Sequence, residues 1–181
     1  MEEVATRDAA EALNAIAKAL RWPLKSDREF QFREPALREL CDLWRAKARQ
    51  GIPRRHDFDL RALKSVISNT MIIERITGRG GAIYRFRLVG LRITEILGDM
   101  NGRVMHEFLP ANLVPRWSAC IDAVLDNEQP LRIQGNFEIP SANYLAGEIF
   151  LAPMRDARDA TSFVLGAMYF HTRDEPGSPG I

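Results

Sequence analysis

Apolar residues recur at intervals of three and four early in the chain, switch to alternation near Met71, and alternate again beyond Pro130. The first spacing predicts helices and the second half-buried strands. Leu13, Ile16 and Leu20 share one face of the alanine-rich stretch 9–20, an amphipathic helix that Pro23 ends. Residues 25–32 are charged and read as a linker. Pro35 suits a first helical turn, and Leu37, Leu40, Cys41 and Trp44 form the stripe of a second helix that runs to Gln50 and stops at Gly51. A bridge follows through Pro53, Arg54, Arg55, His56, Asp57 and Phe58, and Asp57 or Asp59 can cap a short helix over 60–67.

Residues 71–76 and 83–89 read as two strands joined by the glycine-rich turn 77–81, a hairpin. Strict alternation places Tyr84, Phe86 and Leu88 on one face and Arg85 and Arg87 on the other. Short helices over 92–97 and 104–108 lead to a long one over 111–127, and strands over 131–139, 144–154 and 162–171 complete the chain. This order predicts an α+β fold: a five-stranded antiparallel sheet with helices on one face, inserted between strands two and three and preceded by N-terminal helices. The expected division is an N-terminal helix and linker over 1–34, the sheet domain with its leading helix over 35–172, and a disordered Pro- and Gly-rich tail over 173–181.

Composition narrows the function. The 181 residues suit about one domain, and 46% hydrophobic content is enough for a proper core. With 25 basic against 24 acidic side chains, the net charge of +1 argues against a nucleic-acid surface. No apolar run approaches the roughly 18–20 residues of a membrane span, and the acidic N-terminus lacks a leader pattern, so a cytoplasmic protein is expected. Gly90 and Gly98 stand eight positions apart with helix between them, so they mark turns and not a phosphate cradle. Cys41 and Cys120 lack Cys-x-x-Cys spacing and a histidine cluster, which predicts buried, inert thiols and no metal site.

Several of these segments resemble one family. The order strand–strand–helices–strand–strand–strand is that of the PAS domain. The run Tyr84 to Gly90 with Gly98 and Gly102 is similar to a stand-alone PAS subgroup found mostly in alphaproteobacteria, and so are Leu43-Trp44, Gly51 to Asp59 and Leu151-Ala152-Pro153-Met154. The resemblance covers roughly 37–169 and implies a non-catalytic sensory or interaction module. It also implies a variable ligand: haem, flavin, a small acid or none.

Candidate chemistry is sparse. The long helix holds no histidine. His106, just before it, is the candidate for a haem sensor, with a structural histidine as the plainer reading. The stretch Gly98 to Arg103 contains no cysteine, which disfavours the flavin adduct that light-sensing PAS domains form. Ser118, Ser141 and Ser162 lack a Gly-x-Ser-x-Gly context, and Glu107, Asp122 and Glu138 are acid–base candidates only if buried together. An α+β-cone enzyme is the rival class, but such cones place most helices before the strands.

Phe86, Leu88, Trp117, Ile121, Phe137 and Tyr144 either line a pocket for a small apolar ligand or fill a dry core. If Arg87 lies under the N-terminal helices it needs a carboxylate, and Asp57 is the candidate partner in a structural clamp; the alternative is two solvated charges. The expected partners are a second copy of the chain, through the first helix and outer sheet face, and a signalling protein. The first helix can equally pack on its own domain.

Overall fold

The structure, a computed structural model, describes residues 8–59, 61–136 and 145–172. Eleven elements are formed in chain order: α1 (Ala9–Leu20), β1 (Leu24–Asp27), α2 (Pro35–Lys47), β2 (Thr70–Gly78), β3 (Gly81–Val89), α3 (Leu91–Leu97), α4 (Met105–Phe108), α5 (Val114–Asn127), β4 (Leu131–Asn136), β5 (Leu145–Arg155) and β6 (Thr161–Thr172). The strands make one antiparallel sheet in the order β1-β4-β5-β6-β2-β3, and α3, α4 and α5 are inserted between the β2–β3 hairpin and β4. The α+β architecture therefore stands, with a sixth strand at the edge. Predicted Phe137, Tyr144, Ser141 and Glu138, and the tail from 173, lie outside the described residues.

The sixth strand, β1, falls where a linker is expected. Its sequence Leu-Lys-Ser-Asp has no apolar alternation, and Ser26 is its one buried residue. Pairing with β4 and an amide from α1 hold it in place. Asn14 accepts from the Ser26 backbone N–H and donates to the Ser26 carbonyl, both at 2.8 Å, as a neighbouring peptide would. Asp8 caps α1 by accepting from the Ala10 and Glu11 amides, and Ala9, Leu13 and Ala17 are buried against the same domain. The buried face of α1 is therefore Ala9, Ala10, Leu13 and Ala17, packed on β1 and α5, whereas Ile16 and Leu20 of the expected stripe are exposed.

Helices cover both faces of the sheet, not one. On the inner face α1, α3, α4 and α5 bury Met71, Ile73, Phe86, Ile133, Ile149, Leu151 and Val164. On the outer face the segment before α2, α2 itself and Phe58, Leu63 and Val66 bury Ile72, Phe150, Ala152, Met154, Leu165 and Ala167. Being covered twice makes central strand β5 continuously buried from Gly147 to Met154, apolar but for Glu148. The Trp44 indole donates to the Pro153 carbonyl at 2.9 Å, and the Arg155 amide donates to the Pro53 carbonyl at 2.8 Å. Three of the short motifs that carry the family resemblance, Leu43-Trp44, Gly51 to Asp59 and Leu151 to Met154, meet here.

A β-bulge breaks the expected alternation in β3. Ile72 faces Leu88 and Ile73 faces Phe86, so Arg87 has no opposite residue and parity reverses across it. Leu88 therefore lies on the outer face with Ile72, while Phe86 stays inside. The bulged Arg87 donates to Glu74 at 2.6 Å, and Asp57 accepts from the Arg54 backbone amide at 2.7 Å. Those pairings replace the expected Asp57–Arg87 clamp.

One carboxylate is deeply buried in the outer layer. Glu148 on β5 is 2% exposed and accepts four hydrogen bonds: from Arg132 Nε and Nη2 at 2.8 and 2.6 Å, and from the Arg33 and Glu34 amides at 3.1 and 2.9 Å. Arg132 reaches onward to Asp27 at 2.8 Å. Removing the carboxylate would strand a buried guanidinium and two backbone donors. Glu148→Ala is therefore expected to cost about 3–5 kcal/mol in urea unfolding, whereas Glu95→Ala, an exposed α3 residue, should cost less than about 1 kcal/mol; equal effects would refute the assignment.

Candidate functional site

Between the inner face of the sheet and α3–α5 lies a small apolar void. Met71 and Met168 reach it from neighbouring strands β2 and β6, Phe86 from β3, Ile93 and Leu97 from α3, and Met100 from the following turn. Leu109 and Trp117 close it from the helical side. The backbone makes this arrangement possible at two glycines. Gly90 starts α3 so close to the preceding turn that a Cβ would sit 2.3 Å from the Ile67 carbonyl oxygen. Gly98 ends α3 at φ +98°, a left-handed conformation that side chains resist, and brings Phe108 beside the turn. Asn101 then ties the turn to β3, accepting from the Val89 amide at 2.8 Å and donating to its carbonyl at 3.3 Å.

The void measures about 20 Å³. That holds roughly one water-sized probe, but no polar group of the lining offers a water its partners. The void is far smaller than typical small-molecule sites, which run to about 300–1,000 Å³. His106 is exposed on α4 and absent from the lining, which removes it as an inward axial ligand. Burial pushes the Cys120 thiol up to about 12 and the Cys41 thiol up to about 11, so both stay protonated and inert. Among the described residues no cluster of His, Cys, Asp and Glu is placed to hold a metal.

Beside the void, α5 is fastened to the sheet by polar contacts. The Tyr84 hydroxyl lies 2.8 and 2.7 Å from the two oxygens of Asp122 and donates to that carboxylate. Arg75 donates to Asp122 at 2.9 Å and to Asp126 at 2.6 Å. Asp122 is thus an anchored acceptor that joins α5 to β2 and β3. Of the other acid–base candidates, Glu107 is exposed on α4 and Glu138 lies outside the described residues.

Of the expected pocket residues, Phe86 and Trp117 line the void together. Ile121 is wholly buried in the surrounding core, and Leu88 faces the other side of the sheet. The three methionines are not among the expected lining, although Met100, an apolar residue inside the polar turn Gly98 to Arg103, is a readable signal.

Comparison with known proteins fits this architecture. Residues 32–169 match the PAS domain family (PAS_5). The chain belongs to that family. Similar solved structures include an RNA-binding Light-Oxygen-Voltage receptor, at 10% identity and TM-score 0.43 over 90% of this chain, which spans about half, 47%, of that one. The Rhodobacter sphaeroides LOV protein is 12% identical, with TM-score 0.42 over 76% of this chain and 69% of that one. The light-state blue-light photoreceptor Aureochrome1 LOV is 13% identical, with TM-score 0.38 over 64% and 89%. No curated protein matches this PAS domain, and among its described residues no helix is long and apolar enough to cross a membrane.

The Tyr84–Asp122 contact makes a pH prediction. Burial, and then the Asp122 carboxylate, push the phenol well above its ordinary value. The folded state thus holds this proton more tightly than the unfolded state, so the contribution is complete below about pH 10 and is lost as pH rises toward the raised folded value. Tyr84→Phe should cost about 1.5–3 kcal/mol at neutral pH and flatten the alkaline fall in stability measured by urea titration. An alkaline profile unchanged by the substitution would refute the contact.

Proposed function

We propose that this PAS domain is a non-catalytic sensory module whose signal is the packing of α5 and α1 on the inner face of the sheet. The observation that carries the reading is the void itself: small, apolar and bordered by Met71, Met100 and Met168. Methionine is unbranched and has three soft torsions, so these side chains can re-pack around a small apolar guest at modest cost. A guest that enlarges the void presses on Trp117, which belongs to α5. Helix α5 in turn supports α1, where Gln129 accepts from the Ala9 amide at 3.0 Å.

Such a guest favours one of two helix packings and so shifts a population instead of catalysing a step. Ile16 and Leu20 stand exposed on α1, 42% and 56%, and are the surface through which a changed packing reaches a signalling partner or a second copy. The reading places no chemistry on any residue.

Native mass spectrometry of the purified chain reports a retained small molecule and the oligomeric state together. Titration with benzene or indole should then shift the Trp117 indole N–H resonance and alter amide exchange in α1 as well as α5. Met100→Ala should enlarge the site, cost about 2–5 kcal/mol and bind benzene more tightly than the native chain. Benzene binding that leaves α1 exchange unchanged, or a Met100→Ala protein that binds none, would end this reading.

A further inference from the structure

The bulge that turns Leu88 outward also opens a groove on the opposite face of the sheet. Helix α2 packs over β5 and β6 and leaves the β2–β3 corner to the residues that follow it. There Phe58, Leu63, Ile72 and Leu88 form an apolar floor beneath Arg55 and Arg61, and the open groove above it measures about 520 Å³. That is within the range of small-molecule sites, about 300–1,000 Å³, and far larger than the inner void.

The rim is cationic. Arg55 and Arg61 are exposed and have no carboxylate partner among the described residues; the Arg55 guanidinium rests 5.7 Å from the Phe163 ring centroid. The carboxylate on the rim, Asp59, is already engaged, accepting from the Ala62 amide at 2.7 Å. His56 lies 3.8 Å from Asp57, which itself accepts from the Arg54 amide. Two exposed guanidinium groups, one resting on Phe163, outnumber the single rim carboxylate Asp59 above four apolar side chains, a surface to which neither a neutral apolar molecule nor a hydrophilic anion is matched.

We propose that this groove is a second binding site, for a small amphipathic carboxylate whose anionic head pairs with Arg55 and Arg61 and whose aliphatic body lies on Phe58, Leu63, Ile72 and Leu88. Arginine supplies paired N–H donors at the spacing of carboxylate oxygens. The tail adds the ordinary gain of removing apolar surface from water. The site is on the other side of the sheet from the methionine-lined void, so the two assignments stand or fall separately.

Decanoate, with decanol as the neutral control, tests the site by titration calorimetry and by amide-resonance mapping on the full chain. Decanoate should shift Phe58, Leu63 and Leu88 and leave Met100 and Trp117 in place. Decanol should bind at least about tenfold more weakly, and the Arg55→Ala/Arg61→Ala double variant should lose about tenfold or more in decanoate affinity. Both arginines are exposed, and the decanol comparison on the native chain decides between the outcomes even if the variant misfolds. Decanol binding as tightly as decanoate, shifts confined to the inner face, or no decanoate binding would overturn the proposal.

Discussion

A carboxylate taken out of water inside a twice-covered sheet must find donors for its oxygens, and Glu148 governs the outer half of this molecule for that reason. Arg132 supplies two of the donors. The other two are the backbone amides of Arg33 and Glu34, at the turn that starts α2. Placing those amides fixes where Pro35 begins the helix, and therefore how Leu37, Leu40 and Trp44 meet the sheet. The same turn holds Phe30 and Phe32 edge-on against Phe150, with ring centroids 6.2 and 5.9 Å apart. Asp27, held by Arg132, accepts from the Glu29 and Phe30 amides and closes the circuit. One acidic side chain thereby makes residues 24–34 part of the domain.

The sheet edges obey a related constraint. An unpaired strand edge offers its peptide groups to any passing chain. Here both outermost strands meet an asparagine that imitates the missing peptide: Asn14 on β1 and Asn101 on β3. Phe86 adds two backbone bonds to the same turn, to Gly102 and Arg103. With these edge positions engaged and both faces covered, recognition is left to side-chain surfaces, and the β2–β3 corner and the exposed flank of α1 are two that the packing leaves open.

Much of this is legible in the chain, and the illegible parts have physical causes. Helices α2 and α5 announce themselves because each buries a stripe at helical spacing. Helix α1 is legible as a helix although its buried face is Ala9, Ala10, Leu13 and Ala17 in place of Ile16 and Leu20, and Pro35, Pro23 and Gly51 punctuate the helices as expected. Strand β1 is invisible because its stability comes from partners distant in sequence: Arg132 lies 105 residues from Asp27. The bulge is invisible for a different reason. Alternation through Tyr84, Phe86 and Leu88 is locally perfect, and only the opposing register reveals that Arg87 is the extra residue. That one residue separates the two halves of the expected pocket, leaving Phe86 with Trp117 on the inside and Leu88 with Phe58 on the outside. Its charge hides Glu148 as well, since a lone acid between glycine and isoleucine reads as a surface position.

The size of the inner void decides how a signal can arise. A site that already fits its ligand can bind with little movement, but one of about 20 Å³ cannot accept even a small hydrocarbon without displacing its walls. The strands that form one wall are locked by pairing to neighbours on both sides, apart from β3 at the edge. The opposite wall is helical, and there Trp117 borders the void while Asp122, little more than one turn along α5, is tied to Tyr84 and Arg75. Displacement therefore falls on α5, which must either pivot about that tie or break it. Because α1 lies against α5 and also carries the amide that closes β1, a pivot of α5 is felt at the far edge of the sheet. In the proposed mechanism, ligand entry and the arrangement of the N-terminal helix are two readings of one packing equilibrium.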